Sequence, residues 1–372
     1  MQKVAQSWLI FDLTKSSFFL GLDDFLGQLP ILLFTVLGGV IADRHDRRRL
    51  LISSQYVQMT TAFALAALVW TGTVRIEHIL VLSCLTGFAQ AFGGPAYQSL
   101  MPTLVPKGHL PNAIALNSIQ FNLSRIFGSL LAGATLAAFG AAICFALNGL
   151  SFLLVIAAIL ALSVRHIPPT ERKPILHEMR GGFSYVKREP ALIGLTVVAF
   201  LTTYLGLPIL TFLPVFAQNV FGGEIRLYST MMAFSGAGSV VGALIVAWLG
   251  RFRHMGLTLL IVQLIYGVLV AGFAISRTLW LSELLLFFAA LSAMIVTAMT
   301  TSLVQLIVPD HLRGRVVSIY MVAFRGGMPL GSLASGYAAT FVGVPVVLAV
   351  NGALISVVAV YFLVRGHSVR EL

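Results

Sequence analysis

The chain has 372 residues, of which 58% are hydrophobic and only 10% charged, with a mean hydropathy of +0.94. A soluble domain commits roughly a quarter of its residues to charge, so a soluble globular fold is excluded. The net charge of +11 would suggest nucleic acid in a soluble protein, but here the basic residues lie between apolar runs and report membrane topology instead.

Runs such as 25–42, 143–164 and 257–275 approach the ~20 residues that cross a ~30 Å hydrocarbon core as helix. They lack the period-two alternation of barrel strands, so the spans are helical. In chain order, spans are predicted over 1–14, 17–42, 50–72, 76–105, 112–138, 140–164, 191–217, 227–249, 255–275, 279–307, 313–341 and 344–364. Alternate loops hold seventeen Lys and Arg residues, whereas the opposite loops hold only Lys15, Arg75, Arg226 and Arg277. That bias predicts that the basic set and the C-terminus face the cytoplasm. Cys84 and Cys144 are isolated in apolar runs and the eight histidines have no ligand spacing, so no disulfide framework, metal site or cofactor is expected.

Self-similarity organises these spans. Gly39 pairs with Gly242, Ser99-Leu100 with Ser302-Leu303, and Val105-Pro106 with Val308-Pro309. Gly128-Ser129 and Gly133 pair with Gly331-Ser332 and Gly336, and Asn148-Gly149 with Asn351-Gly352, always at an offset of 203 residues. One register held over so many helices predicts two parallel six-helix halves. The expected organisation is an N-terminal bundle over 1–164, a cytoplasmic linker over 165–190 and a C-terminal bundle over 191–372. Within the linker, Ile175 to Lys187 reads as a short amphipathic helix on the membrane face, or simply as a tether. The repeat would start the first helix upstream of Met1, so a misplaced start codon is preferred over a truncation. Mass spectrometry of the native N-terminus tests that expectation.

The loop after the second span reads Gly39-Val-Ile-Ala-Asp43-Arg44-His-Asp46-Arg47-Arg48-Arg49-Leu50. Gly39 would admit a neighbouring helix, while Asp43 could pair with Arg47 or meet a helix N-terminus. Gly39, Asp43, Arg44, Arg47 and Arg48 therefore read as a conformational latch. A positive-inside stop signal is the alternative, but it needs only Arg and Lys. This stretch resembles the G-x-L-A-D-R-x-G-R-R-x-x-L signature of the major facilitator superfamily, with Asp46 where the pattern has Gly. Val308-Pro-Asp-His-Leu-Arg313-Gly-Arg315-Val-Val-Ser318 and the opening Val4-Ala-x-x-Trp8…Leu13-Thr-x-Ser16…Leu20-Gly are similar to the bacterial exporter branch containing enterobactin exporters and macrolide efflux proteins. The resemblance implies an all-α membrane protein of twelve helices in two six-helix bundles. It also implies alternating access, export driven by an ion gradient, and a latch role for Arg313 and Arg315 in the second half. Gly128-Ser129-Leu-Leu-Ala-Gly133 keeps the small-residue spacing found in the fifth helix of many proton-coupled exporters but lacks their proline, and with it the proline kink.

Ionisable groups in the bilayer cost at least ~2.5–3.5 kcal/mol, so each is a functional candidate. Arg125 and Arg325 lie deep in the fifth and eleventh spans and could donate to an anionic or polar substrate group. Asn117, Gln120 and Asn122 share Arg125's helix, Gln305 and Tyr320 could partner the arginines in the second half, and Tyr204 is a further substrate candidate at a cavity position. The alternative is structural arginines that cap carbonyls. Asp12, Asp23 and Asp24 are placed near outer helix ends, where a helix dipole alone could account for the last two. With no carboxylate at the midplane, they are also the proton-coupling candidates. Gln28, Tyr56, Gln90, Tyr97, Gln98 and Gln263 complete the polar cavity set.

Gly236-Ala-Gly238-Ser-Val-Val-Gly242 lies inside an apolar helix and there is no Walker loop, which removes nucleotide drive. No catalytic constellation is expected, against a lipid-modifying membrane enzyme. The function expected is secondary export of a small organic molecule, drug-like or siderophore, by proton antiport. The protein is expected to be a monomer among lipids of the bacterial cytoplasmic membrane, powered by the proton gradient and not binding nucleic acid. A lysophospholipid flippase, a facilitator and a non-transporting scaffold are the alternatives.

Overall fold

The computed structural model describes residues 1–100, 103–106, 109–162 and 185–372; the side chains of Asp43, Arg44, Arg125, Arg313 and Arg315 lie outside the described residues. Most of the predicted 175–187 helix also lies outside them. The first helices are α1 (Gln2–Thr14), α2 (Ser17–Arg44), α3 (Arg47–Trp70), α4 (Ile76–Leu100) and α5 (Leu110–Ala161). They are followed by α6 (Pro190–Val220), α7 (Ile225–Leu249), α8 (Met255–Ile275), α9 (Leu279–Ile307), α10 (Asp310–Val342) and α11 (Val344–Arg365). Among the described residues nine helices are long and apolar enough to cross a membrane. The predicted twelve segments are recovered because α1 has only 13 residues, α3 opens with three arginines, and α5 is two spans joined at Gly140.

The boundaries follow local chemistry. Helix α3 starts earlier than predicted because Asp46 is its N-cap, its carboxylate accepting from the amides of Arg48 and Arg49. Such a cap satisfies N–H groups that have no partner within the helix. Helix α4 is described to Leu100 and residues 103–105 are not part of it, so it falls short of the predicted end at 105. Helix α6 is broken: a π turn at Thr202–Gly206 precedes Pro208, and another at Phe216–Val220 follows Pro214. Each proline lacks an N–H and clashes with the preceding turn, and the π turn ahead of Pro208 absorbs that misfit. Gly327 and Gly331 of α10 press against that first π turn, meeting Thr203 and the carbonyls of Phe200 and Tyr204.

Contacts divide the chain into two units, Met1–Glu171 with Gly223–Thr230, and Arg172–Gly222 with Met231–Leu372. In the first, α2 packs along α4, with Gly87 seated on the Gly27 carbonyl, and α3 packs along α5, with Gly149 on the Phe63 ring. In the second, α8 packs along α11 through Gly267 and Gly352. The core of the second unit gathers Leu195, Leu259, Val296, Met299, Val304 and Tyr320 from α6, α8, α9 and α10. The sharp turn inside α5 is Gly140, with φ 80° and ψ 176°, and the turn between α10 and α11 is Gly343, with φ 82° and ψ 154°. These glycines, 203 residues apart, occupy a region open essentially to glycine alone.

Gly140→Ala and Gly343→Ala should each destabilise the folded protein by more than about 1 kcal/mol. Gly94→Ala, where no atom of the described residues approaches an added Cβ, should leave stability unchanged or slightly raised. Thermal unfolding of detergent-purified variants checks the contrast.

Candidate functional site

The first unit holds a buried charge network. Asp23 and Asp24 sit seven and eight residues into α2 with only 2% and 1% of their surface exposed. They therefore lie beyond its first turn, and the helix dipole does not account for them. Lys3 of α1 reaches both, 3.3 Å from Asp23 Oδ2 and 3.1 Å from Asp24 Oδ1. Gln6, one helical turn after Lys3, donates to Asp23 Oδ1 at 2.6 Å and also reaches Ser83 Oγ of α4 at 2.6 Å. The Ser83 hydroxyl closes the triangle by donating to the same carboxylate oxygen. The i, i+3 spacing of Lys3 and Gln6 puts both on one face of α1. At 1.5 Å per residue, Lys3 is roughly 17 Å along the axis from Thr14, and Asp23 about 9 Å from the start of α2, both well inside a ~30 Å core.

Next to this network, Trp8 stacks on Tyr228 from the start of α7, with ring centroids 6.0 Å apart. Asp12 does not join them. It is 60% exposed and pairs with Lys15 at 2.7 Å. Of the three acids singled out in the sequence, two meet and the third is separate. Lys3, Gln6 and Ser83 were missed, although Lys3 was visible as a cation inside a predicted span.

The basic loop works through carbonyls. Arg47 donates to the Ser99 carbonyl at 3.1 Å, and Arg48 donates from Nε to Ile159 at 2.9 Å and from Nη2 to Leu160. Cations are favoured at helix C-termini, where carbonyls lack internal partners. The two arginines thus tie the start of α3 to the ends of α4 and α5, beside the apolar cluster of Ala42, Leu51, Ala96, Leu100 and Ile159. Among the described residues no atom lies within 4 Å of a Cβ built on Gly39. Asp46, the departure from the family signature, is the cap described above.

The substrate candidates are dispersed. Asn117 accepts from Tyr97, and Gln120 donates to Ser124 at 3.1 Å. In the second unit Tyr204 stacks on Phe200 with centroids 5.5 Å apart. Tyr320 is buried with its hydroxyl 3.0 Å from Thr301, while Gln305 and Arg325 are exposed. Gln263 is fully buried, accepts from Thr202 at 3.0 Å, and leaves its Nε2 without a partner among the described residues. A cavity of about 650 Å³ in that unit is lined by Arg251, Arg253, His254, Leu303 and Glu371 among others. None of the substrate candidates lines it.

Long apolar helices with a repeated glycine turn, and two carboxylates buried between them, define a polytopic membrane protein. Residues 1–371 match the family described as transmembrane secretion effector, and the chain belongs to that family of the major facilitator superfamily. Among its relatives, the staphyloferrin A transporter of Staphylococcus aureus is 26% identical over 350 residues, covering 92% of this chain and 86% of the relative. The macrolide efflux protein A of Streptococcus pyogenes is 23% identical over 376 residues, covering 96% and 90%. The fold is also that of the nucleoside transporter NupG, with a TM-score of 0.74 at 14% identity over 98% of this chain and 94% of that one.

Arg48→Ala, which removes two charge-assisted hydrogen bonds to the last carbonyls of α5, should cost about 2 kcal/mol. Asp46→Ala should cost about 1 kcal/mol, whereas Asp46→Gly should cost only a few tenths. Unfolding midpoints of the three variants in one detergent check the order.

Proposed function

We propose that this protein is a secondary exporter of a small organic molecule, drug-like or siderophore, working by alternating access with proton antiport. The observation that carries the reading is the pair of carboxylates buried in a membrane-spanning helix and bridged by one lysine. Buried intramembrane charge is costly and marks ion or substrate pathways. A passive scaffold has no use for it. Relatives named for staphyloferrin A transport and macrolide efflux, each aligned over nearly its whole length, support small organic cargo.

The charge bias of the loops supports a bacterial cytoplasmic membrane location with the C-terminus and the Arg47–Arg49 loop inside. The Arg48 contacts then act as a latch at the cytoplasmic ends of α4 and α5. Arg125, Arg325, Asn117, Gln120, Tyr204 and Gln305 are the substrate-binding set in this reading, with the arginines suited to an anionic or strongly polar group. The functional unit is a monomer.

Transport into inverted membrane vesicles tests the proposal, using a panel of siderophores, macrolides, dyes and lysolipids with and without a pH gradient. Wild-type vesicles should accumulate at least one compound only when the gradient is present. Asp23→Asn combined with Asp24→Asn should lower gradient-driven uptake by on the order of tenfold or more, and Arg125→Ala should abolish it. Uptake indifferent to the gradient would replace antiport by facilitation, and unchanged uptake in the double variant would remove the two acids from coupling.

A further inference from the structure

We propose that the cavity at one end of the second unit binds the headgroup of a phospholipid carrying both a phosphodiester and an ammonium, the chemistry of phosphatidylethanolamine. Neither cargo nor coupling ion enters the assignment, so it stands or falls apart from the antiport reading.

The cavity, of about 650 Å³, lies within the ~300–1,000 Å³ of small-molecule sites, and a lone phosphate ion would leave most of it empty. The turn between α7 and α8 supplies Arg251, Arg253 and His254 to its lining. The last turns of α9 supply Leu303, Leu306 and Ile307, and the chain end supplies Glu371 and Leu372. One wall is therefore basic, one apolar and one acidic, since the terminal carboxylate of Leu372 adds to that of Glu371. The side chains of Asp310, His311, Arg313 and Arg315, at the start of α10, lie outside the described residues. Among the described residues, no hydrogen bond or ion pair engages the side chains of Arg251, Arg253, His254 or Glu371. Opposite charges that line one space without pairing leave room for a ligand that complements both. A guanidinium fork matches the oxygens of a phosphate, and an ammonium donates to carboxylates.

The acidic wall is fixed to the bundle. In the short helix His367–Arg370, Val369 is fully buried. It sits against Gly194 and Gly256, where an added Cβ would collide with it. Arg370 donates to the Leu363 carbonyl at 3.2 Å. The apolar wall runs out to the surface, since Leu306 is 48% exposed. Trp248, near the end of α7, is 85% exposed, and tryptophan at a helix end marks the level of lipid headgroups. A soluble zwitterion would use the charged walls alone; a lipid uses all three, with its acyl chains over Leu306.

A phosphatidylethanolamine with a diazirine near the carbonyl of one acyl chain tests the site, using the full chain in phosphatidylcholine vesicles. After photolysis, peptide mass spectrometry should place an adduct on residues 303–307. Unlabelled phosphatidylethanolamine should suppress that adduct several-fold more than phosphatidylglycerol of the same acyl chains. Arg251→Gln combined with Arg253→Gln should lower labelling by on the order of tenfold. Glu371→Gln should narrow the headgroup preference, which a merely structural carboxylate would not set. Size-exclusion profiles matching wild type qualify the variants, and the headgroup comparison in the wild type stands without them. Labelling confined to other segments, or equal suppression by the two lipids, overturns the headgroup assignment. Suppression by soluble glycerophosphoethanolamine as complete as by the lipid removes the apolar wall from the site and overturns the lipid occupant.

Discussion

A bilayer offers no water to a buried polar group, and every part of this structure answers to that constraint. Backbone amides and carbonyls are satisfied within helices, and the places where a helix must end or bend are those where other groups intervene. Asp46 satisfies the first amides of α3, Arg47 and Arg48 donate to carbonyls at the ends of α4 and α5, and the first π turn of α6 accommodates Pro208. Where helices meet, no hydrophobic drive pulls them together against lipid, so close contact at small residues takes over. Gly87 on Gly27, and Gly267 with Gly352, are that solution in each unit.

The same constraint gives the Lys3 network its meaning. Charges held this deep persist when partners offset their desolvation. Asp23 is fully provided for; Asp24 is not. The two arginines of the basic loop differ in kind, since they bind backbone carbonyls whose acceptor strength does not titrate. One end of the first unit is thus built for mechanical connection and the α1–α2–α4 interior for charge.

Much of this was legible residue by residue. Apolar run length located the helices, because the bilayer thickness dictates how many residues are needed. Asp46 explains a boundary shift that hydropathy alone could not place, since a cap acts through one residue rather than an average. The glycine turns at 140 and 343 obey the offset seen in the other repeat pairs, yet nothing in composition distinguishes them from the remaining glycines. Their role appears only in a backbone angle. Asp46 was readable as a departure from a signature, and its role as a cap needed the geometry of the next two amides.

The sequence by itself determined the class of protein, the helical spans, the 203-residue repeat and the family, because these depend on local composition and on order along the chain. It also marked Asp23 and Asp24 as charges that required an explanation. Only the tertiary structure decided what explains them. Lys3 and Ser83 are distant from the acids in sequence, 20 and 60 residues from Asp23, and no local periodicity links a residue of α1 to one of α4. Whether a carboxylate is partnered, and by which atoms, is a property of packing between helices, so the difference between Asp23 and Asp24 could be read nowhere else.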